Sequence, residues 1–345
     1  MTTSQPNILV TGASGSLGKQ LLYTMTRKGI RPIAQVRTDS NTAYIDSLGL
    51  EKRTADLRNN ADLLRLVAEI DCIIHTAAWV NFRQDRLTQF TGLNTFGAVN
   101  LYLAARSAGV KRFVQVSTVA AVGGLERSAK SADTAVPTLI NEDHQFNLGH
   151  LRIPYIMTKR AAEEELLKQW RAGGPELVIV NPAIMVAPSR TGDDRGKAVK
   201  TFGRFLLPDL PNLVNLVDMR DVAPAIVAAV SQGRSGERYI LGGENITARD
   251  LIVSVSALLG KSPHLVKIPR WFLNMSAHSA AGYARYIGRS KISFYPDLVK
   301  LADYDWAYSS AKAREELGFR PRPLQTTLQD LLMNNFVGTW QKPEK

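Results

Sequence analysis

Residues 7–18 read Asn-Ile-Leu-Val-Thr-Gly-Ala-Ser-Gly-Ser-Leu-Gly, and the fold of the chain can be worked out from them. The apolar run Ile8-Leu9-Val10 meets a turn of glycine and serine, and a helix-compatible run over 18–28 follows, with Gly29 placed to end it. This order predicts a strand, a tight turn and a helix start, the opening of a dinucleotide-binding βαβ unit. Gly12 lets the chain turn sharply. Gly15 removes a side chain where a pyrophosphate must come close, and Gly18 lets the new helix pack tightly. Ser14, Ser16 and Leu17 complete the cofactor-facing turn. The helix N-terminus then offers unpaired N–H groups and a partial positive charge to an anion.

Outward from this unit, strand and helix candidates alternate. Strands are expected at Ile8–Thr11, 32–37, 52–55, 72–76, 113–117 and 177–181. Helices are expected at 42–48, 61–68, 93–108 and from Pro154 to about residue 170. Apolar strands without a polar face, separated by helices, imply a parallel sheet covered on both sides. After Pro182 the pattern changes to helix-like segments at 196–207, 222–232, 248–259, 271–287, 309–317 and 324–336, with short strands such as Arg238–Leu241 between them. The expected fold class is α/β: a Rossmann-type, doubly wound parallel sheet with a smaller, mostly helical C-terminal substrate lobe. The expected division is an NADP-binding domain over 1–182, rejoined by segments around 213–242, and a mainly substrate-binding lobe over 183–345. Ligands of open α/β sheets bind at the C-terminal strand ends.

Composition narrows the class. The chain has 345 residues, long enough for one large domain and a smaller one, and its hydrophobic content of 45% is that of a globular protein. Its one cysteine, Cys72, lies in an apolar strand-like run, which rules out an internal disulfide and fits a reducing, cytoplasmic setting. No basic leader runs into an apolar segment, and no apolar run reaches the length of about 18 residues that a membrane span needs. The net charge of +12 is uneven: between Leu251 and Pro296 there is no Asp or Glu. Lys261, Lys267, Arg270, Arg285, Arg289 and Lys291 alternate there with aromatics such as Trp271 and Tyr283. An anionic substrate, a peripheral membrane-surface contact through 261–295 and a plain solvated face all remain open. No nucleic-acid motif accompanies the charge.

The residues that carry chemistry stand at strand ends. The second strand closes with Val36-Arg37. An acid there would take the ribose hydroxyls of NAD, whereas a guanidinium suits the 2′-phosphate of NADP. Asp56-Leu57, after the third strand, is placed to meet the adenine edge. His75-Thr76-Ala77-Ala78 ends the fourth strand, and its small residues leave room for a cofactor; His75 itself is assigned no chemistry. Thr118, with Ser117 beside it, ends the fifth strand and could hydrogen-bond a substrate oxygen. Tyr155 and Lys159 share one helix face, and the ammonium, with a positive nicotinamide, would lower the phenol's pKa. Asn94 is either a helix cap or the holder of a relay water.

In chain order, TGASGSLG, Ala55-Asp56-Leu57, HTAA, LNTFG, VSTVAAV, YIMTK, NPAIMVAP and VDMRDVA resemble the extended short-chain dehydrogenase/reductase family, the NAD-dependent epimerase/dehydratase superfamily. The Val36-Arg37 strand end looks most like its dihydroflavonol reductase and 3β-hydroxysteroid dehydrogenase branch. The resemblance implies cofactor roles for Gly12, Gly15, Gly18, Arg37 and Asp56. It implies catalytic roles for Thr118, Tyr155 and Lys159, with Thr118 where the family often has Ser. Pro182 and Ile184 match the loop along the nicotinamide, and Asp221 matches a structural position. A homodimer through helices 93–108 and 155–170 is implied in the same way.

The resulting expectation is an NADP(H)-dependent oxidoreductase acting on a ketone, aldehyde or alcohol of a small apolar or aromatic substrate, with no metal. A sugar-nucleotide epimerase or dehydratase with tightly bound NAD(P) is the alternative, and a non-catalytic NADP-binding regulator stands third. Trp79, Val80, Phe82, Phe146, Met185 and Phe202 would line the substrate site, with Arg83 and Arg195 as an anion clamp.

Overall fold

A computed structural model describes residues 5–80, 87–127, 138–188, 197–198, 201, 206–268, 275 and 300–333. β1 (Ile8–Thr11) is wholly buried and stands inside a sheet rather than at its edge. It leads through the glycine turn into α1 (Ser16–Arg27). Then follow β2 (Ile33–Val36), α2 (Ala43–Ser47), β3 (Lys52–Thr54), α3 (Asn60–Leu66) and β4 (Cys72–His75). α4 (Leu87–Phe90) continues through a π-helical segment, Thr91–Gly97, into α5 (Ala98–Ser107). β5 (Arg112–Val116), β6 (Leu125–Glu126), α6 (Pro154–Arg171), β7 (Glu176–Pro182) and β8 (Ile184–Val186) come next. β9 (Leu206–Pro208), β10 (Leu213–Asp218), α7 (Met219–Gln232), β11 (Arg238–Leu241) and β12 (Glu244–Thr247) lead into α8 (Ala248–Leu258). β13 (His264–Val266), β14 (Tyr304–Asp305), α9 (Ala311–Glu316) and α10 (Leu324–Leu332) complete the described chain.

Seven strands form one sheet in the order β11-β7-β5-β4-β1-β2-β3, every pair parallel. Successive residues of a strand face opposite layers, which explains the unbroken apolar runs. Ile8, Val10, Ile74, Val114 and Val178 enter the layer shared with α1 and α7. Leu9, Ile73, Phe113, Leu177 and Ile179 enter the layer shared with α3, α5 and α6. The strand order reverses between β1 and β4, and in such sheets that break opens the ligand crevice.

Beyond Pro182 the chain is less helical than its sequence suggests. β8, β10 and β12 form a three-stranded sheet, β9 pairs with β13, and β14 pairs with β6. The helix expected over 196–207 is corrected at its end, because Leu206–Pro208 is a strand. Its other residues, apart from 197–198 and 201, lie outside the described residues, as does the expected helix 271–287 apart from residue 275. β8, β12 and β13 are short and partly exposed, so they lack the apolar signature of the main sheet. α8 and α10 pack on this lobe through Leu216, Val255, Leu324, Leu328 and Leu332. No helix among the described residues is long and apolar enough to cross a membrane.

Candidate active site

The glycine turn is shaped first by its own packing. Gly12 has φ +67°, and a Cβ there would stand 2.8 Å from Thr76 Oγ1 and 2.9 Å from the Ala77 backbone. A Cβ on Gly18 would overlap Gly12 O and lie 2.7 Å from Ala13 Cα, so the helix start packs on the turn itself. Gly15 differs: the nearest atom to its Cβ would be Gly12 O at 3.2 Å, and no other neighbour comes within 4 Å. Protein packing therefore demands glycine at 12 and 18 more than at 15, which is the position expected to face a pyrophosphate. α1 begins with no side-chain cap and no acid in its first turn, leaving its N-terminal field to an anionic ligand. These features fit a dinucleotide cofactor.

Neighbouring strands fix this turn. Gln35, buried in β2, accepts the Gly12 N–H at 3.0 Å and donates to Ala55 O at 2.8 Å, joining the ends of β1 and β3. Sequence reading missed it, although a glutamine in an otherwise apolar strand was the signal. Thr11 Oγ1 meets His75 Nδ1 at 2.7 Å, and Thr76 Oγ1 donates to Thr11 O at 2.7 Å. Burial pulls His75 down to about 3, with Lys159 adding to the effect, so it is a neutral structural imidazole. Ala77 and Ala78 continue the chain beyond Thr76, half-buried.

Arg37 follows β2 with its side chain 59% exposed and pairs with Asp39 at 3.3 Å. Its backbone N–H donates to Ser40 Oγ at 3.0 Å, and Ser14 Oγ reaches the same hydroxyl at 3.4 Å, so turn and strand end share one serine. Asp56 is paired with Arg58 at 2.6 Å, and that bond holds its carboxyl below the usual range. Leu57 is buried in the core beside Leu63 and Leu66, so its side chain serves packing. Ser16 and Leu17 are half-buried at the start of α1.

At the other end of the crevice, Pro154 starts α6 and places Tyr155 and Lys159 one turn apart. Thr118, directly after β5, caps the next turn by accepting the Ala120 N–H at 3.3 Å, and its side chain hydrogen-bonds Tyr155. Burial pushes the Tyr155 phenol up to about 12, and the Thr118 bond opposes this. In the chain alone burial sets the direction for Tyr155, and the Lys159 ammonium is held on Val116 O at 2.9 Å. Burial lowers Lys159 to about 8, with Glu163 opposing.

Asn94 does not cap a helix. It lies inside the π-helical segment, accepts the Trp79 N–H at 2.7 Å, and donates to Trp79 O at 3.1 Å and Thr158 Oγ1 at 3.3 Å. A buried network missed in the sequence lies behind Lys159. Asn181 Nδ2 donates to Thr118 O at 2.9 Å and to Glu163 Oε1 at 2.7 Å, and Arg238 pairs with Glu163 at 2.5 Å. The spacing of Glu163 four residues after Lys159 was its available signal.

Of the expected substrate-side residues, Val80 is 66% exposed, while Ile184 and Met185 are exposed just past Pro182, which ends β7. Phe146 packs in the cluster that includes Tyr155, Leu148 and Tyr304, with the Arg160 guanidinium 5.2 Å from its ring centre. Phe82, Arg83, Arg195 and Phe202 lie outside the described residues or have undescribed side chains. Asp221 holds Arg322, with contacts of 2.7–3.0 Å.

Residues 8–242 match the model of the NAD dependent epimerase/dehydratase family, and the chain belongs to that family. It is 29% identical over 331 residues to sterol demethylase protein B of Methylococcus capsulatus, covering 93% of this chain and 96% of that one. It is likewise 29% identical over 327 residues to a putative dihydroflavonol 4-reductase of Synechocystis, covering 93% and 92%. Among solved structures it resembles that of gox2253, with a TM-score of 0.78 and 28% identity over 97% of this chain and all of the other. The family and these relatives indicate an oxidoreductase- or epimerase-type enzyme with a nicotinamide-nucleotide cofactor.

Proposed function

We propose that the protein is an NADP(H)-dependent oxidoreductase that reduces a ketone or aldehyde of a small, apolar or aromatic substrate, or runs the reverse oxidation. The observation that carries this reading is the Tyr155–Thr118 hydrogen bond, with Lys159 one helical turn on, at the same sheet edge as the glycine turn. The cofactor would supply hydride to the carbonyl carbon. Gly12, Gly15, Gly18 and the α1 N-terminus would hold its pyrophosphate, Arg37 with Ser14 and Ser40 its 2′-phosphate, and Asp56 its adenine. Pro182 and Ile184 would border the nicotinamide. Tyr155, kept protonated at neutral pH, gives its proton to the substrate oxygen, and Thr118 orients that oxygen. Lys159 holds a positive charge beneath. Val80, Met185 and Phe82 would give the substrate side its apolar character, in keeping with the sterol and dihydroflavonol named for the two relatives.

The Arg37–Asp39 pair favours a second reading. A carboxylate so near the strand end could accept ribose hydroxyls, as in an epimerase or dehydratase with tightly bound NAD. Calorimetry of NADPH and NADH on the wild type and Arg37→Ala separates the two. The first reading expects NADPH preferred by tenfold or more, about 1.4 kcal/mol, and the preference lost in the variant. Retained NAD, or indifference to Arg37, moves the second reading ahead.

A homodimer would use the faces of the π-helical segment, α5 and α6, where Phe96 and Leu103 are exposed. A monomer by light scattering would exclude it. The basic stretch 261–295, mostly outside the described residues, would touch anionic membranes peripherally, and no sedimentation with anionic vesicles at low salt would remove that idea. A cytoplasmic location would fit the free, buried Cys72, and fractionation tests it.

A further inference from the structure

Three buried side-chain atoms near Lys159 have no hydrogen-bond partner among the described residues: Gln115 Oε1, Ser117 Oγ and Asn181 Oδ1. Their residues are 1%, 6% and 0% exposed. The sheet register brings them together. Gln115 pairs with Ile179, and the Ser117 N–H donates to Val180 O, so Ser117 and Asn181 follow on neighbouring strands. Ile179 belongs to the layer that meets Ala162 and Leu166 of α6, so Gln115 and Asn181, each two residues from a member of that layer, face α6. The Lys159 ammonium and the Gln115 amide converge on one atom, Val116 O, at 2.9 and 3.1 Å. Asn181 is held through its Nδ2 by Thr118 O and Glu163, which leaves its Oδ1 over.

Polar atoms left unpaired in a dry layer are strongly disfavoured, because they lose their hydrogen bonds to water and gain none. Groups of this kind in folded proteins are met by ordered water, which takes two to four polar partners. The adjacent Lys159 ammonium disfavours a cation at this place, and the Glu163 carboxylate behind Asn181 disfavours an anion. A neutral occupant that both donates and accepts remains.

We propose that the buried space bounded by β5, β7 and α6 is a built water site, in which Gln115 Oε1, Ser117 Oγ and Asn181 Oδ1 hold ordered water against the Lys159 ammonium. An ammonium has three N–H groups, and Val116 O accounts for one of them. The water hydrates Lys159 from the sheet side. The Asn94 amide is directed to Trp79 and Thr158 instead. Arg238, whose Nε also lacks a partner and whose side chain is 16% exposed, marks the outer end of the same polar layer.

The test needs no substrate. A crystal structure of the wild type should show water within hydrogen-bond distance of Ser117 Oγ and of at least one of the two amide oxygens. Ser117→Val fills the space and should lose that water. In protein carrying 13C-lysine, with Lys159 assigned through Lys159→Arg, the Lys159 13Cε titration should then fall by about one pH unit, because the charged form has lost solvation. A dry space in the wild type, or an unmoved titration in Ser117→Val, overturns the proposal. If Ser117→Val fails to fold, Ser117→Ala removes one partner and must lower the same titration by a smaller amount; no movement there overturns it too.

Discussion

Gly15 and Gly18 are three residues apart, yet their substitutions should have different effects. Gly18→Ala drives a methyl into Gly12 O and Ala13 and should destabilise the fold by about 2 kcal/mol or more. Gly15→Ala meets a single atom at 3.2 Å and should stay within about 1 kcal/mol of wild-type stability while weakening nucleotide binding at least tenfold. Thermal melts and calorimetry on the two variants check both statements. Lys159 adds a pH effect. It titrates at about 8 in the fold against an ordinary 10.5. Between those values the unfolded chain holds the proton more often, so stability from this residue rises with pH across that window and is lowest below it. Relative to Lys159→Met, the wild type should therefore gain up to about 3 kcal/mol between pH 8 and pH 10.5. Urea unfolding at both pH values measures this, and a flat difference would contradict the burial of a charged Lys159. At this scale the placement of the glycines, Arg37, Thr118, Tyr155 and Lys159 at strand ends and helix starts was legible because the signals are local. The upward push on Tyr155 was not, because it comes from burial, which the local sequence does not show.

The central sheet was legible in its elements, since β1, β4 and β7 are mainly apolar runs between turn signals, and β3, Lys-Arg-Thr, follows from its place in the alternation of strands and helices. The interruption of the long helix was not. Residues 93–108 read as one helix, but Thr91–Gly97 is π-helical and brings Asn94 to the Trp79 backbone. A wide turn of this kind depends on a partner distant in sequence, here Trp79 and Thr158. Asn94→Ala would leave the half-buried Trp79 N–H and C=O without these bonds and should cost about 1–2 kcal/mol. Asn94→Asp keeps the acceptor and should recover part of that loss. Chemical denaturation of both variants decides it, and an unchanged midpoint for Asn94→Ala would show that the clamp contributes nothing. β8 and β12 were illegible for a different reason: each is short and partly exposed, and their pairing with β10 joins residues 184–186, 213–218 and 244–247, which no local pattern connects.

The whole molecule is closed by a charged seam. Asp218, fully buried, holds Arg220 at 2.6 Å; Arg220 reaches Asp330 of α10 at 2.8 Å; and Thr327 donates to Asp218 at 2.9 Å. Pairs like these add little net stability over an apolar equivalent, but removing one member leaves an uncompensated charge. Arg220→Ala should therefore cost about 3–5 kcal/mol, read as a lower urea midpoint, and should first loosen α10. Equal loss from Asp330→Asn, whose carboxylate is more exposed, would contradict that ranking.

The position of α7 also bears on where the protein can be divided. This helix, Met219–Gln232, covers the same sheet face as α1, and Arg112 of β5 bonds the carbonyls of Ala229, Val230 and Gly233 at its end. The layer over Val114, Val116, Val178 and Val180 thus arrives some forty residues after β7 has been made. A nascent chain that has passed residue 182 carries every glycine of the nucleotide turn but still shows a bare valine face. The nucleotide-binding half is therefore not a transplantable module: it is a spatial unit whose pieces are separated along the chain, and it becomes whole only when the second lobe has begun.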